Sequence, residues 1–329
     1  MILRRGLSAA LLLAALASAL TACADSPVTG RNQVLLMSQA QEEEIGARQN
    51  PVILRSFGGV YDDPELLAYV ERVGARLVAG SEQPDQPFTF TVLDSDIVNA
   101  LALPGGYIYV TRGLLTLANS EAELASVLAH EIAHVTARHP AERYSQSALA
   151  RLGIGLIGVA TGSDGIAELA GFGAQAYLRS YSRDQESEAD VIGIRYLAAA
   201  GYDPDAMAGF LAQMERHAQL HALVTGEESA APGFLSTHPQ TTDRMVQAVQ
   251  VAATAPDGGA WGHAEYLAAI DGMVYGEGAG AGQVRGRTYA DPAQGFLWDA
   301  PPGYWLRRSG DTVLADGPAD SRIVFDTVT

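Results

Sequence analysis

SEAELASVLAHEIAHVTARH, residues 120–139, is the stretch around which the chain is organised. Ser120 followed three residues later by Glu123 has the pattern of a capping box and predicts a helix starting there. Leu124, Val127, Leu128 and Ile132 recur at helical spacing and give that helix an apolar face. Pro140, which lacks an amide hydrogen and clashes with the preceding turn, is expected to set the far end. Inside lies His130-Glu131-Ile132-Ala133-His134, an H-E-x-x-H. A step of four residues returns to nearly the same angle, so both imidazoles leave one face and can share a Zn²⁺ at about 2.0–2.1 Å. Glu131 projects about 100° away, which suits a general base beside a metal better than a third ligand. Two unpartnered histidines in a capped apolar helix would be costly, and this favours the metal over a plain polar turn.

The third ligand must come from elsewhere. An extended metzincin motif needs glycine where Ala137 stands and histidine where Pro140 stands. His139, five residues past His134, falls on another part of the helix surface and is expected to be solvated.

Ahead of this helix, Arg4 and Arg5 precede an apolar run from Leu7 to Leu20, the layout of a secretory signal over residues 1–22. It leads to Leu20-Thr21-Ala22-Cys23, which resembles a bacterial lipobox whose cysteine becomes the acylated first residue. Cys23 is the only cysteine, so no intrachain disulfide is possible. Ala24 stands where an aspartate would retain such a protein in the inner membrane, so a lipid anchor in the outer membrane, facing the periplasm, is expected. Formal net charge is −17, and no lysine occurs. So acidic a chain without a basic cluster argues against nucleic acid as a partner.

Residues 24–33 are polar and suit a tether. Val34 to Val78 has a helical pattern, with Asp62-Asp63-Pro64 opening a second helix that buries Leu66, Leu67, Val70, Val73 and Leu77. Phe88, Phe90 and Val92 alternate with threonines as a strand. A loop through Asn99 and Pro104-Gly105-Gly106 leads to a second strand, Tyr107–Thr111. Leu149 to Ala160 is apolar and glycine-rich but too short to span a bilayer, and reads as buried packing or a lid.

Ser182 and Gln185 form a further capping-box pattern, and Gly201 can end the helix they open. On this helix Glu186 and Asp190 lie four apart and share a face. One carboxylate could complete a metal triad while the other holds a histidine's remaining ring N–H. Glu188 is expected on the solvated side.

Together these residues resemble the M48 peptidase family. The likeness rests on His130-Glu131-x-x-His134 followed by Glu186-x-x-x-Asp190, on Asn99–Val110 with Arg112-Gly113-Leu114, and on Ser236-Thr237-His238-Pro239 with Arg244. The resemblance implies a zincin-like α+β protease of the gluzincin type: mostly helical, with a small β-sheet, over residues 34–255, behind the signal (1–22) and tether (23–33). A small β-rich C-terminal segment follows over 256–329, where Thr312–Leu314 and Ile323–Phe325 flank Asp316-Gly317-Pro318 as a hairpin. The helical repeats that some bacterial members carry after the protease have no counterpart in the periodicity here.

By the same resemblance His130, His134 and Glu186 are the ligands of one Zn²⁺, Glu131 is the catalytic base, and Asp190 lies behind the ligands. His238 and Arg244 belong to the other side of the cleft, with His238 either an oxyanion donor or an inhibitory fourth ligand. In zinc proteases an extended substrate commonly adds to a strand edge, and Tyr107–Thr111 is either such an edge or a fully paired core strand. Implied substrates are misfolded or unassembled envelope proteins, with outer-membrane assembly machinery as a further partner. A chaperone or assembly factor with a latent zinc site is the alternative.

Overall fold

The protein, seen in a computed structural model, is described over residues 23–149, 180–225, 233–239, 242–256, 258–276, 282–291, 295–309, 312–318 and 321–326. The leader expected over 1–22, and all but the first residue of the Leu149–Ala160 run, lie outside these residues. The fold is mixed α+β. The chain divides into two compact units, Met1–Gly272 and Met273–Thr329.

The first unit runs β1 (Cys23–Asp25), β2 (Asn32–Val34), α1 (Gln39–Ser56), α2 (Pro64–Ala79), β3 (Thr89–Leu93), β4 (Ala100–Leu103), β5 (Tyr107–Thr111), α3 (Arg112–Leu117) and α4 (Glu121–Thr136). Helix resumes over 139–149. Then come α5 (Arg183–Ala199), α6 (Asp205–Thr225), α7 (Phe234–Thr237), α8 (Thr242–Ala252) and α9 (His263–Ala269). No helix among the described residues is long and apolar enough to cross a membrane.

Helix α4 is the centre of this unit. Ser120 caps it, its hydroxyl accepting from the Glu123 amide at 3.1 Å. The expected box is not reciprocal, because the Glu123 carboxylate reaches one residue further back and accepts from the Asn119 amide at 2.7 Å. Every residue from Ala122 to Thr136 is buried. The helix is therefore covered all round, by α2, α5, α6 and β4, and not on one stripe alone.

Pro140 does not end it. Arg138 takes a left-handed conformation, φ 61°, and breaks the helix two residues earlier. Its guanidinium pairs with buried Glu42 and donates to Met37 O at 3.1 Å, which holds the turn. Pro140 then sits in the first turn of the next helical run, where its missing N–H has no partner to lose.

The three-stranded sheet has the order β3-β5-β4. β5 pairs parallel with β3 and antiparallel with β4, so of the two readings open from sequence it is the fully paired core strand and not a substrate-binding edge. The edges are β3 and β4, and β4 reads as loop because Ala100-Leu101-Ala102-Leu103 is buried at every position and shows no alternation. Helix α2 opens on Asp63 and Pro64 and buries Leu66, Val70, Val73 and Leu77, with Leu67 only partly covered. The Ser182–Gln185 capping box of α5 is complete, and Gly201, at φ 76°, follows its end.

The segment expected as a tether is folded: β1 pairs antiparallel with β2, and Arg31 between them bonds Glu142 at 2.7 Å and Glu188 at 2.8 Å. At the other end, residues 256–272 belong with the first unit rather than with the C-terminal segment. Trp261 O accepts from the Ala122 amide at 3.1 Å, and buried Tyr266 donates to Leu115 O.

Among its described residues, the second unit contains two three-stranded antiparallel sheets. One is β6 (Gln283–Arg285), β7 (Thr288–Asp291) and β8 (Phe296–Asp299); the other is β9 (Trp305–Ser309), β10 (Thr312–Asp316) and β11 (Arg322–Asp326). β10 and β11 form the expected hairpin, and Phe325 stacks on Trp298 of the other sheet at 5.4 Å.

Candidate metal centre

Helices α4 and α5 pack closely because α5 presents small residues to α4. A Cβ on Gly193 would stand 3.3 Å from the His130 amide nitrogen. This approach brings Glu186 to the H-E-x-x-H face, and α7 delivers His238 from a third direction. The Nε2 atoms of His130 and His134 are 3.0 Å apart. Glu186 places one oxygen 3.4 Å from His134 Nε2 and the other 3.6 Å from His130 Nε2. His238 Nδ1 lies 2.9 Å from Glu186 Oε1 and 3.2 Å from His130 Nε2. One ligand atom from each of these four buried residues falls within 4.8 Å of the others.

A shell of further side chains orients the four. Asp190 Oδ1 faces His130 Nδ1 at 2.9 Å, which leaves His130 Nε2 turned inward. Arg244, itself buried, donates twice to Asp190, at 2.7 and 2.9 Å, and once to Pro239 O at 3.0 Å. Its Nη1 is also 2.6 Å from Glu186 Oε2. His134 Nδ1 meets His139 Nδ1 at 2.8 Å. Tyr181 stacks on His134 at 3.8 Å between centroids and Phe234 on His238 at 4.4 Å. The Tyr181 amide donates to Thr237 O at 3.1 Å, joining these two covering segments.

The donor set fits a divalent cation. Three buried carboxylates, Glu131, Glu186 and Asp190, meet the buried guanidinium of Arg244, a formal surplus of two negative charges. Ring nitrogens 3.0 Å apart are stable only with a proton or a shared cation between them. Neither oxygen of Glu131 accepts a hydrogen bond, although both are buried, and the nearest basic atom is His238 Nε2 at 3.4 Å. An orphaned carboxylate of this kind is expensive without a nearby positive charge. Imidazole nitrogen and carboxylate oxygen together are the ligands of zinc and of similar borderline ions.

The titration behaviour follows the same charge balance. Burial resists charge on His130, yet its hydrogen bonds to Asp190 and Glu186 override this and raise it to about 10. Burial takes His134 well below its ordinary value and lifts Glu131 above its own. Burial would raise Glu186 too, but the positive potential of His238 and hydrogen bonds from three histidines carry it well below the usual range.

Of the residues singled out from sequence, His130, Glu131, His134, Glu186, Asp190, His238 and Arg244 converge on one buried locus. Cys23 lies in β1, away from it in sequence and in element order. Two expectations are overturned. His139 is fully buried, because the break at Arg138 turns the chain back and carries the ring beneath His134. Glu188 is not a solvated residue: its side chain is 11% exposed and is held by Arg31, Thr29 and His139. Burial would raise its pKa, but the bonds from His139, Thr29 and Arg31 lower it to about 2. Tyr181 and Phe234, the rings that cover the site, carried no signal in the sequence, being single aromatics outside any periodic face.

Residues 64–252 match the sequence model of peptidase family M48. Among characterised proteins, the chain is 34% identical over 255 residues to the beta-barrel assembly-enhancing protease of Escherichia coli, covering 74% of this chain and 50% of that one. It is 37% identical over 204 residues to the protein of the same name in Yersinia pestis, covering 59% and 40%. It is 30% identical over 235 residues to the mitochondrial metalloendopeptidase OMA1 of Homo sapiens, covering 67% and 44%. The chain thus spans half or less of the length of these relatives.

Arg244 generates a prediction that needs no activity assay. Replacing it with methionine leaves Asp190 and Glu186 buried without their guanidinium, and breaking a buried pair in this way costs about 3–5 kcal/mol. Arg244→Met should therefore show a large fall in the urea midpoint of unfolding. A loss below about 1 kcal/mol would mean that the pair is exchanged for solvent at no cost.

Proposed function

The chain belongs to peptidase family M48, and on that premise we propose that it is a zinc-dependent endopeptidase of the bacterial cell envelope. The observation that carries this reading is the convergence of His130, His134, Glu186 and His238 donor atoms beside the buried Glu131 carboxylate, whose oxygens accept no hydrogen bond. His130, His134 and Glu186 are assigned as the metal ligands, with Asp190 and Arg244 orienting them. Zinc held there would supply a Lewis acid for the scissile carbonyl and lower the pKa of water to about 7. Glu131 takes a proton from the attacking water and returns it to the leaving amine. Both its oxygens are free of hydrogen bonds, as a proton carrier requires.

His238 is assigned as a latch. Its Nδ1 points into the donor set and its Nε2 stands 3.4 Å from Glu131, so one ring blocks both the fourth ligand position and the base. Catalytic zinc needs an open position, and a four-donor shell has the form of a structural site. The turn carrying His238 is also bound where substrate would enter, since the Phe234 amide donates to Val98 O at 2.9 Å, next to edge strand β4. An extended chain adding to that edge competes for this bond and lifts the turn.

Substrates are proposed to be misfolded or unassembled envelope proteins; the two bacterial relatives, named for enhancing beta-barrel assembly, support the link to unassembled barrels. The lipobox-like Leu20-Thr21-Ala22-Cys23 supports a lipid anchor at Cys23 and an outer-membrane site facing the periplasm. The complete burial of the donor set supports a second reading, an assembly factor for outer-membrane proteins whose zinc site stays latent.

Casein or an unfolded porin, incubated with the purified protein with and without chelator, separates the two readings. Chelator-sensitive cleavage is expected, with one zinc per chain. His130→Ala should lose the zinc, while Glu131→Gln should keep it and lose turnover by at least about 100-fold. Full zinc occupancy in His130→Ala would sink the ligand assignment. For the latch, His238→Ala should keep zinc and cleave casein faster than the wild type; a variant that keeps zinc but loses most turnover makes His238 a transition-state donor instead. For the anchor, wild type should incorporate a fatty-acid label that Cys23→Ser does not. An unmodified mature N-terminus by mass spectrometry ends that idea.

A further inference from the structure

The two helical histidines are supported in different ways. His130 is held by a carboxylate, as metal-bound histidines usually are. His134 is held by another imidazole. Its Nδ1 lies 2.8 Å from Nδ1 of His139, and the other nitrogen of His139 lies 3.3 Å from Glu188 Oε2. Glu188 is in turn bound by Arg31 Nε at 2.8 Å, and the same guanidinium grips Glu142 at 2.7 and 3.2 Å. Glu142 accepts from Gln185 Nε2 at 2.9 Å, beside Glu186. The run is continuous from the β1–β2 hairpin to the donor set.

Its hydrogen-bond directions follow from the inventory of donors and acceptors. Arg31 can only donate, so Glu188 is the acceptor, and His139 Nε2 must carry the proton that faces it. A neutral imidazole with its proton on Nε2 has a bare Nδ1. That atom accepts from His134, which places the His134 proton on Nδ1 and leaves its Nε2 lone pair facing Glu186 and His130. With either ring turned over, the row would bring two donors or two lone pairs together somewhere along it.

We propose that His139 is a positioning residue of the metal centre, an imidazole relay that fixes the tautomer and direction of His134 and ties them, through Glu188 and Arg31, to the N-terminal hairpin. The relay rests on the metal reading above, but its consequences are separable from catalysis. His139 touches no substrate position; it acts only through His134. Support of this kind typically changes metal affinity about 10–100-fold when removed. The same row makes the hairpin next to Cys23 part of the site's scaffold, so the end of the domain nearest the expected anchor bears on metal retention.

The test uses two near-isosteric replacements that differ only in polarity. His139→Leu offers His134 no acceptor; His139→Asn keeps a carbonyl oxygen close to the place of Nδ1. Zinc dissociation constants of the full chain are measured by chelator competition, and the visible absorption of the cobalt-loaded protein reports ligand geometry. His139→Leu should weaken zinc about 10–100-fold and alter the cobalt bands, and His139→Asn should recover most of both. Equal affinity in leucine and asparagine variants assigns His139 to packing and overturns the relay. Should His139→Leu fail to fold, Glu188→Leu at the more accessible end carries the test. It should weaken zinc by about 10-fold, and wild-type affinity there overturns the proposal equally. A wild-type chain that binds no zinc sinks the metal reading together with the relay, whereas a zinc-binding wild type with unchanged variants sinks the relay alone.

Discussion

A carboxylate and an imidazole 2.9 Å apart, Asp190 and His130, join the two helices on which the first unit depends. Each is buried, so neither is tolerable without the other, and Arg244 closes the remaining valences of Asp190. The packing of α4 on α5 is therefore specified by polar chemistry as well as by apolar contact. The apolar part is ordinary: Leu124, Leu128, Ile192 and Leu197 are fully excluded from solvent and would allow neighbouring registers to compete. The polar part does not allow this, since a slide of one residue would leave several charges unpaired. Small residues at the crossing, Gly193 among them, then become necessary, because the ligand atoms meet only if the backbones come close.

How far this was legible in the sequence depended on whether a residue acts within its own element. H-E-x-x-H is legible because spacing four on a helix has one geometric meaning, and Glu186 and Asp190 are legible for the same reason. Helix starts at Asp63 and Ser182 were readable from their caps. Strand β4 was not, because complete burial removes the alternation that marks a strand. His139 was not, because its place depends on Arg138 adopting φ 61°, a conformation that no local rule assigns to arginine and that Glu42, almost a hundred residues earlier, helps to hold. The place of Glu188 is hidden for a related reason. An acidic residue on a helix is usually solvated, and only the return of the β1–β2 hairpin gives this one a cation.

The closure of the site sets two requirements against each other. A charged donor set is most stable when every lone pair is used and water is excluded, and here His238, Tyr181 and Phe234 complete that enclosure. Peptide hydrolysis needs the opposite: an open ligand position, an unencumbered base and room for a chain. The conflict can be met only if one of the enclosing elements is cheap to move. Helix α5 is not, being anchored by a full capping box and by Asp190. Helix α4 is not, being buried on all sides. The turn bearing His238 is the least costly, since α7 is four residues long and follows Gly233, whose φ of 127° no side chain favours and which gives no side-chain cap. Among the described residues, the backbone bonds that tie it to other segments include Phe234 to Val98 and Tyr181 to Thr237. His130, His134 and Glu186 thus sit on long packed helices, and His238 rides on the element whose displacement would disturb them least.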